Sequence, residues 1–195
     1  MADSLQLGLM IGPAVPIPVS ADILEALTAV EVTARDEGAS AFSLSFTMSN
    51  SSPLPTLFML AGANPLPIVR VIVTATLNGV VQVLIDGVVT KTQVLPGTDS
   101  GHSVLQVTGE DLTFLMDKID LTGLPFPAMP AEAAVALVLA KYLGLGVIPL
   151  IIPSILLDVP IPTEKIPTQQ GTDLKYIKAL AKRVGYVFYL SLIHI

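Results

Sequence analysis

The chain has 195 residues, no cysteine and a formal charge of −6, with 52% hydrophobic and only 13% charged residues. That length holds one full domain and part of another, the missing cysteine excludes disulfide and thiol chemistry, and ten Lys and Arg in all are too few for recognition of nucleic acid through its phosphates. What remains is an apolar excess with two destinations, a membrane or a large protein interface.

Residues 29–48 alternate. Val30, Val32 and Ala34 oppose Glu31, Thr33 and Arg35, and Phe42, Leu44, Phe46 and Met48 oppose Ser43, Ser45 and Thr47. The pattern predicts two half-buried strands, paired antiparallel across the turn Asp36-Glu37-Gly38. Residues 49–67 read as a loop, with prolines at 53, 55, 65 and 67 around the apolar patch Leu57-Phe58-Met59-Leu60; a loop this long is functional or part of an interface. Residues 68–77 are strand-like, Asn78-Gly79 is the strongest two-residue hairpin signal, and 80–85 returns. Asp86-Gly87 marks a second sharp change of direction or a bulge before a strand over 88–94. A turn-rich loop over 96–101 then leads to a strand over 103–108. Six or more short strands at this spacing fit a small barrel or a sandwich.

Residues 110–118 read as a short helix with Leu112, Leu115 and Met116 on one side. Pro125, Pro127 and Pro130 make a linker. Pro130 and Gly144 frame a second helix over 131–143, and the apolar stretch 147–157, with Pro149 and Pro153, reads as extended packing segments. Residues 166–189 read as a polar loop, an amphipathic helix and a strand. Thr172 caps the helix, Asp173 lies in its first turn and Lys182 with Arg183 in its last, and Gly185 takes the left-handed position that stops it. Leu174, Ile177, Leu180, Ala181 and Val184 share one stripe, while Lys175, Lys178 and Lys182 point elsewhere.

None of this assembles into chemistry. His102 and His194 stand apart with no cysteine and no paired spacing, so no zinc site is expected. Glu110, Asp111, Asp117 and Asp120 read as solvated acids flanking a short helix, with Asp111 placed to cap backbone N–H groups. The serines lack a His and Asp constellation, and Gly144-Leu145-Gly146 lacks the third glycine of a dinucleotide loop. The chain is expected not to be an enzyme and to carry no cofactor and no metal. A spanning helix needs about 20 apolar residues; the best candidate, 133–157, is interrupted by Lys141, Pro149 and Pro153. The acidic Asp3 replaces the basic start of a secretory signal, so assembly in the cytoplasm of the producing cell is expected.

Three segments carry a resemblance. Leu84-Ile85-Asp86-Gly87-Val88-Val89-Thr90 holds an Asp-Gly-x-Val strand end, and Ser103 through Leu112 holds a Val-x-Gly-x-Asp turn at Gly109 and Asp111. The Gln169-Gln170 loop then precedes a helix with Asp173 near its start and Ile177 on its apolar stripe, followed by an aromatic strand. In this order they resemble the phage late control D or baseplate hub protein family. The resemblance covers most of residues 29–189. It implies an α+β, mainly β fold: a tail-tube-like antiparallel β-barrel hub domain with short helices over 1–120, and the start of an inserted α+β second domain over 121–190. It also implies a homotrimer whose six barrels continue the sixfold tail tube in the virion tail baseplate. Tail tube and spike proteins would be its partners, with no specific nucleic-acid recognition and no stable membrane insertion. Relatives include the hub part of type VI secretion spike proteins. Family members run well beyond 195 residues, and residues 191–195 resemble translated sequencing-adapter sequence, a candidate non-native tail. The structural and interface candidates are Leu57, Phe58, Met59, Leu60, Asn78, Gly79, Asp86, Gly87, Gly109, Asp111, Asp173 and Ile177. Two other readings stand beside this one: a membrane-associated protein using 133–157, and an enzyme subunit whose active site lies in a missing part.

Overall fold

Alternating side chains build the first of two units, Met1–Leu112 with Ser191–Ile195; the second is Thr113–Leu190. The computed structural model describes residues 5–13, 15–35, 38–48, 54, 58, 68–96, 103–153 and 166–191. In the first unit the strands are β1 (Leu5–Gly12), β2 (Ile17–Pro18), β3 (Leu27–Thr33), β4 (Ala41–Met48), β5 (Arg70–Leu77), β6 (Val80–Pro96) and β7 (Ser103–Asp111), with a short helix α1 (Ala21–Glu25) before β3. They form one antiparallel sheet in the order β2-β1-β5-β6-β7-β4-β3, curled as a half-barrel.

The expected alternation fixes which face is inside. Phe42, Leu44, Phe46 and Met48 of β4 are buried, and their cross-strand partners continue the same layer: Leu44 lies opposite Val107 and Phe46 opposite Leu105. Across the sheet Leu9 pairs with Val73, and Val73 with Ile85. Ile23 of α1, Leu54 and Phe58 join this core, with the Phe58 ring 5.8 Å from that of Phe46. The strand β1 was not anticipated, although Leu5, Leu7, Leu9 and Ile11 alternate in the same way.

Asn78 and Gly79 close the β5–β6 hairpin with φ of 52° and 82°, both positive as a type I′ turn requires. Asp86-Gly87 makes no turn. One strand of 17 residues runs through it, and the irregularities lie on either side: Val73 pairs with Ile85 but Thr74 with Val83, and Val89 pairs with Gly109 but Lys91 with Thr108. Leu84 and Thr90 are therefore the extra residues of two bulges, which bend and twist a strand too long to stay flat.

The helix expected over 110–118 is shortened, because its first two residues belong to β7. Backbone pairing of Glu110 with Ala41 and of Asp111 with Gly87 carries β7 to Asp111, and only α2 (Thr113–Met116) is helical. In the second unit α3 spans Ala131–Ala140, three residues short of the expected end. The chain then tightens into a 3-10 turn (Leu143–Leu145), so Gly144 is inside the turn and Gly146, at φ 79°, takes the left-handed position. The helix α4 (Asp173–Arg183) starts at its expected cap, Thr172, whose hydroxyl accepts the Lys175 N–H. It ends in a Schellman motif: Tyr186 N–H donates to Ala181 O and Gly185 N–H to Lys182 O, with Gly185 at φ 75°. No strand follows it among the described residues. Residues 186–190 pair with no other strand among the described residues, and the Tyr186 hydroxyl instead donates to Pro153 O.

The buried stripe of α4 is rotated from the expected one. Asp173, Tyr176, Ile177 and Leu180 are buried, and Leu174, Ala181 and Val184 only partly so. Tyr176 stacks on Phe126 with centroids 5.3 Å apart. Phe126 is held there by a short irregular ladder in which residues 121–126 run against 167–171: Phe126 N–H donates to Pro167 O, Gln169 N–H to Leu124 O and Gly123 N–H to Gln169 O.

Candidate functional site

Six of the candidate residues fall into two structural clusters, Asp86, Gly87, Gly109 and Asp111 in the first unit and Asp173 with Ile177 in the second. In the first cluster the ring of Phe42, on β4, packs against the glycines of both motifs. Phe42 pairs with Gly109, and Gly109 with Val89. A Cβ on Gly109 would stand 2.3 Å from the Phe42 ring and 2.3 Å from Val88 O, and one on Gly87 would stand 2.3 Å from Glu110 O. Real side chains do not approach so closely, so both positions exclude any residue larger than glycine. Asp111 exchanges two bonds with Ser40 at the start of β4: its Oδ2 accepts the Ser40 N–H at 2.6 Å and its own N–H donates to Ser40 O at 2.9 Å. The carboxylate therefore ties the end of β7 to the start of β4. Asp86 takes a two-pronged ion pair from Arg70, its diagonal neighbour on β5, with Nε–Oδ1 at 2.7 Å and Nη2–Oδ2 at 2.5 Å. Both side chains are largely buried, so the fork geometry is what makes the charges tolerable there.

The second cluster surrounds Asp173. Its Oδ2 accepts the Tyr142 hydroxyl at 2.6 Å and an ion pair from Lys141 at 2.5 Å, and its Oδ1 accepts Gln169 Nε2 at 2.8 Å. Burial pushes the carboxyl pKa up, but the bonds from Lys141, Tyr142 and Gln169 outweigh it and hold the group below the ordinary carboxylate range. The same contact works in reverse on Tyr142: burial first, then the bond to Asp173, raises its hydroxyl far above the usual phenol range. Gln169 is fully buried, and its Nε2 also reaches Gly171 O, which leaves Oε1 with no donor among the described residues. Beside it the Thr172 hydroxyl donates to Asp117, and the Thr122 hydroxyl accepts the Gly171 N–H while donating to Asp120. Every acid of this cluster is committed to a local hydroxyl, amide or amine. Asp173 and Ile177 were site candidates in the sequence, whereas Gln169 was read only as part of a polar loop, Lys141 only as a charge within 133–157, and Tyr142 was not singled out; they converge only through the tertiary fold.

No group of three His, Asp or Glu among the described residues is placed to hold a metal, and His102 and His194 lie outside those residues, as do Leu57, Met59 and Leu60. Phe58, at 1% exposure, is a core residue of the first unit. The tail at 191–195 lies outside the described residues except for Ser191. No helix among the described residues is long and apolar enough to cross a membrane; residues 133–153 hold most of α3, a 3-10 turn and an irregular stretch.

The apolar surface is where the composition resurfaces. On the core side of the sheet, beyond the edge of the core, Leu5, Leu77 and Val80 lie side by side on three neighbouring strands and are exposed. In the second unit Ile148, Leu150 and Ile152 are 84%, 87% and 69% exposed. Among the described residues the surface thus includes rows of exposed aliphatic side chains in each unit.

No family model and no curated protein matches the chain. Among solved structures it is similar to the tail protein from Neisseria meningitidis MC58, at 12% identity and a TM-score of 0.57, over 96% of this chain and 48% of that one. It is likewise similar to the 43 kDa tail protein of prophage MuSo2 from Shewanella oneidensis, at 16% identity and a TM-score of 0.57, over 94% of this chain and 50% of that one. The chain spans about half the length of each. At such identities the likeness is one of fold.

Proposed function

We propose that this chain is a non-enzymatic building block of a phage tail or a related contractile injection system. In this reading it is a hub that assembles as a ring-forming trimer and joins the tail tube to the central spike. The observation that carries the reading is the shared fold with two tail proteins over nearly the whole chain. The outward chemistry supports it: the acids described above are locked in structural bonds, and exposed aliphatic rows are what an assembly buries. Obligate interfaces commonly exceed about 2,000 Å² and resemble a core cut in half. A closed ring leaves an axial channel, and a net charge of −6 keeps a polyanion from adhering to its wall.

Light scattering and negative-stain imaging of the intact polypeptide test this. Three copies per particle, with an axial opening, are expected. A monomer at every concentration up to the micromolar range, with no ring when tail tube or spike protein is added, overturns the hub reading.

A further inference from the structure

The stretch after α3 is tied to both ends of α4, by contacts of very different strength. At its start Lys141 and Tyr142 grip Asp173, the first residue of α4, through an ion pair and the 2.6 Å hydroxyl bond. The turn that follows is stitched to the same place: Leu145 N–H and Val147 N–H both donate to Tyr142 O, and Gly146 N–H donates to Leu143 O. The Val147 side chain is buried. At the far end Pro153 O accepts the Tyr186 hydroxyl at 3.2 Å, just beyond the Schellman stop of α4, where both residues are exposed.

Between these anchors residues 147–153 pass along the helix. Pro149 and Pro153 bias the residues before them, Ile148 and Ile152, toward extended backbone. An extended stretch of that length reaches about 23 Å, enough to pass the roughly 16 Å of the eleven-residue α4. Burial alternates along it: Val147 is buried, Pro149 and Ile151 are half-buried, and Ile148, Leu150 and Ile152 face out. The start is a buried, charge-assisted clamp, whereas the exposed neutral bond at the end competes with water and holds weakly. A segment with one strong and one weak attachment opens from the weak end.

We propose that residues 148–153 form a flap, fixed at Val147 and latched at Pro153 by the Tyr186 hydroxyl, which swings outward about its start. Opening adds Pro149 and Ile151 to the aliphatic side chains already exposed. The second unit therefore carries one apolar surface in two states, a latched ridge formed by Ile148, Leu150 and Ile152 and a free arm in which every residue from 148 to 152 is accessible. Helix α4 stays folded in both, because its cap at Thr172, its stop at Gly185 and the Tyr176–Phe126 stack lie outside the flap. The flap is independent of the assembly reading above: a monomer carries it as well as a ring does.

Spin labels on the full chain test this, since there is no native cysteine to interfere. Ile148→Cys and Ile152→Cys carry the label at exposed sites, where it displaces no packed side chain. The label at 152 should tumble faster than the one at 148 by about twofold or more. Tyr186→Phe removes the latching hydroxyl and leaves the ring; it should speed the label at 152 further, leave the label at 148 unchanged and keep the helix content seen by circular dichroism. Tyr142→Phe should instead loosen both sites. Equal mobility at the two positions, or no response at 152 to Tyr186→Phe, overturns the flap. A response to Tyr186→Phe of equal size at both positions, or a loss of helix with it, also overturns it, because the hydroxyl would then support the unit as a whole and not a latch. So does a Tyr142→Phe variant in which neither label changes, since the flap would have no anchor at its start.

Discussion

Gly109 and Phe42 show what a single residue decides here. The glycine leaves a flat strip of backbone on which the ring rests, so the two positions act as one unit. Gly109→Ala introduces a methyl group 2.3 Å from both the ring and Val88 O, an overpacking change that should cost about 1–3 kcal/mol or more. Phe42→Ala removes a buried ring and should cost about 3–5 kcal/mol. The double variant should lose less than the sum, because the ring half of the clash is gone, while the backbone half at Val88 O keeps the relief partial. Urea unfolding of the four proteins measures this, and strict additivity would show that the ring does not rest on Gly109. Gly87 and Gly109 were visible in the sequence as parts of two motifs, but their turn-like appearance concealed a steric role. Nothing local says that an aromatic side chain from a strand more than 40 residues away will lie across both.

The hairpin and the last helix are the elements with the clearest local logic. A Cβ on Gly79 would meet nothing within 4 Å, so the cost of Gly79→Val is backbone conformation alone, about 1–2 kcal/mol for an L-residue held at positive φ. An unchanged melting temperature would count against the hairpin geometry. For α4 the controlling group is Asp173. Its folded-state pKa lies below the unfolded value, so the stabilisation it confers is fully present above the ordinary carboxylate range and is lost as pH falls through the folded-state pKa. Thermal or urea stability of the second unit should therefore be flat near neutrality and decline below about pH 4. Tyr142→Phe removes one of the bonds that hold the carboxylate ionised; it should cost about 1.5–3 kcal/mol at pH 7 and shrink the acid-dependent part of the stability. An identical pH profile in that variant would show that the Tyr142 hydroxyl does not stabilise the anion. The cap at Thr172, the Schellman stop at Gly185 and the charges at both ends were all legible, because each is a bond within about six residues. The buried stripe was misjudged by a partial rotation, since Asp173 and Tyr176 look like surface residues until Lys141, Tyr142, Gln169 and Phe126 surround them.

At the scale of the whole molecule the question is where the apolar excess goes. Part fills the half-barrel and part remains outside, on the uncovered end of the sheet and on the segment after α3. Leu77 tests this directly: it is 48% exposed and belongs to the row that continues the core face. Leu77→Lys should change the thermal midpoint by no more than about 0.5 kcal/mol of stability, as ordinary surface substitutions do, yet reduce concentration-dependent association in sedimentation. A large loss of stability instead would mean that the row is buried within the chain. Composition alone announced the excess, the strands of the central hairpins and the absence of a clean membrane helix, because these depend on residue type and short-range periodicity. It could not divide the excess between core and surface. The sequence of β6, Val80 to Pro96, has no steady alternation, since two bulges shift its inward face from Val80 to Ile85 and again beyond Val89; only pairing with β5 and β7 assigns those side chains a direction. The extension of β7 through Asp111, the early end of α3 and the missing strand after α4 were decided in the same way. Backbone groups take whichever partner the folded chain brings to them, and local sequence records the preference but not the partner.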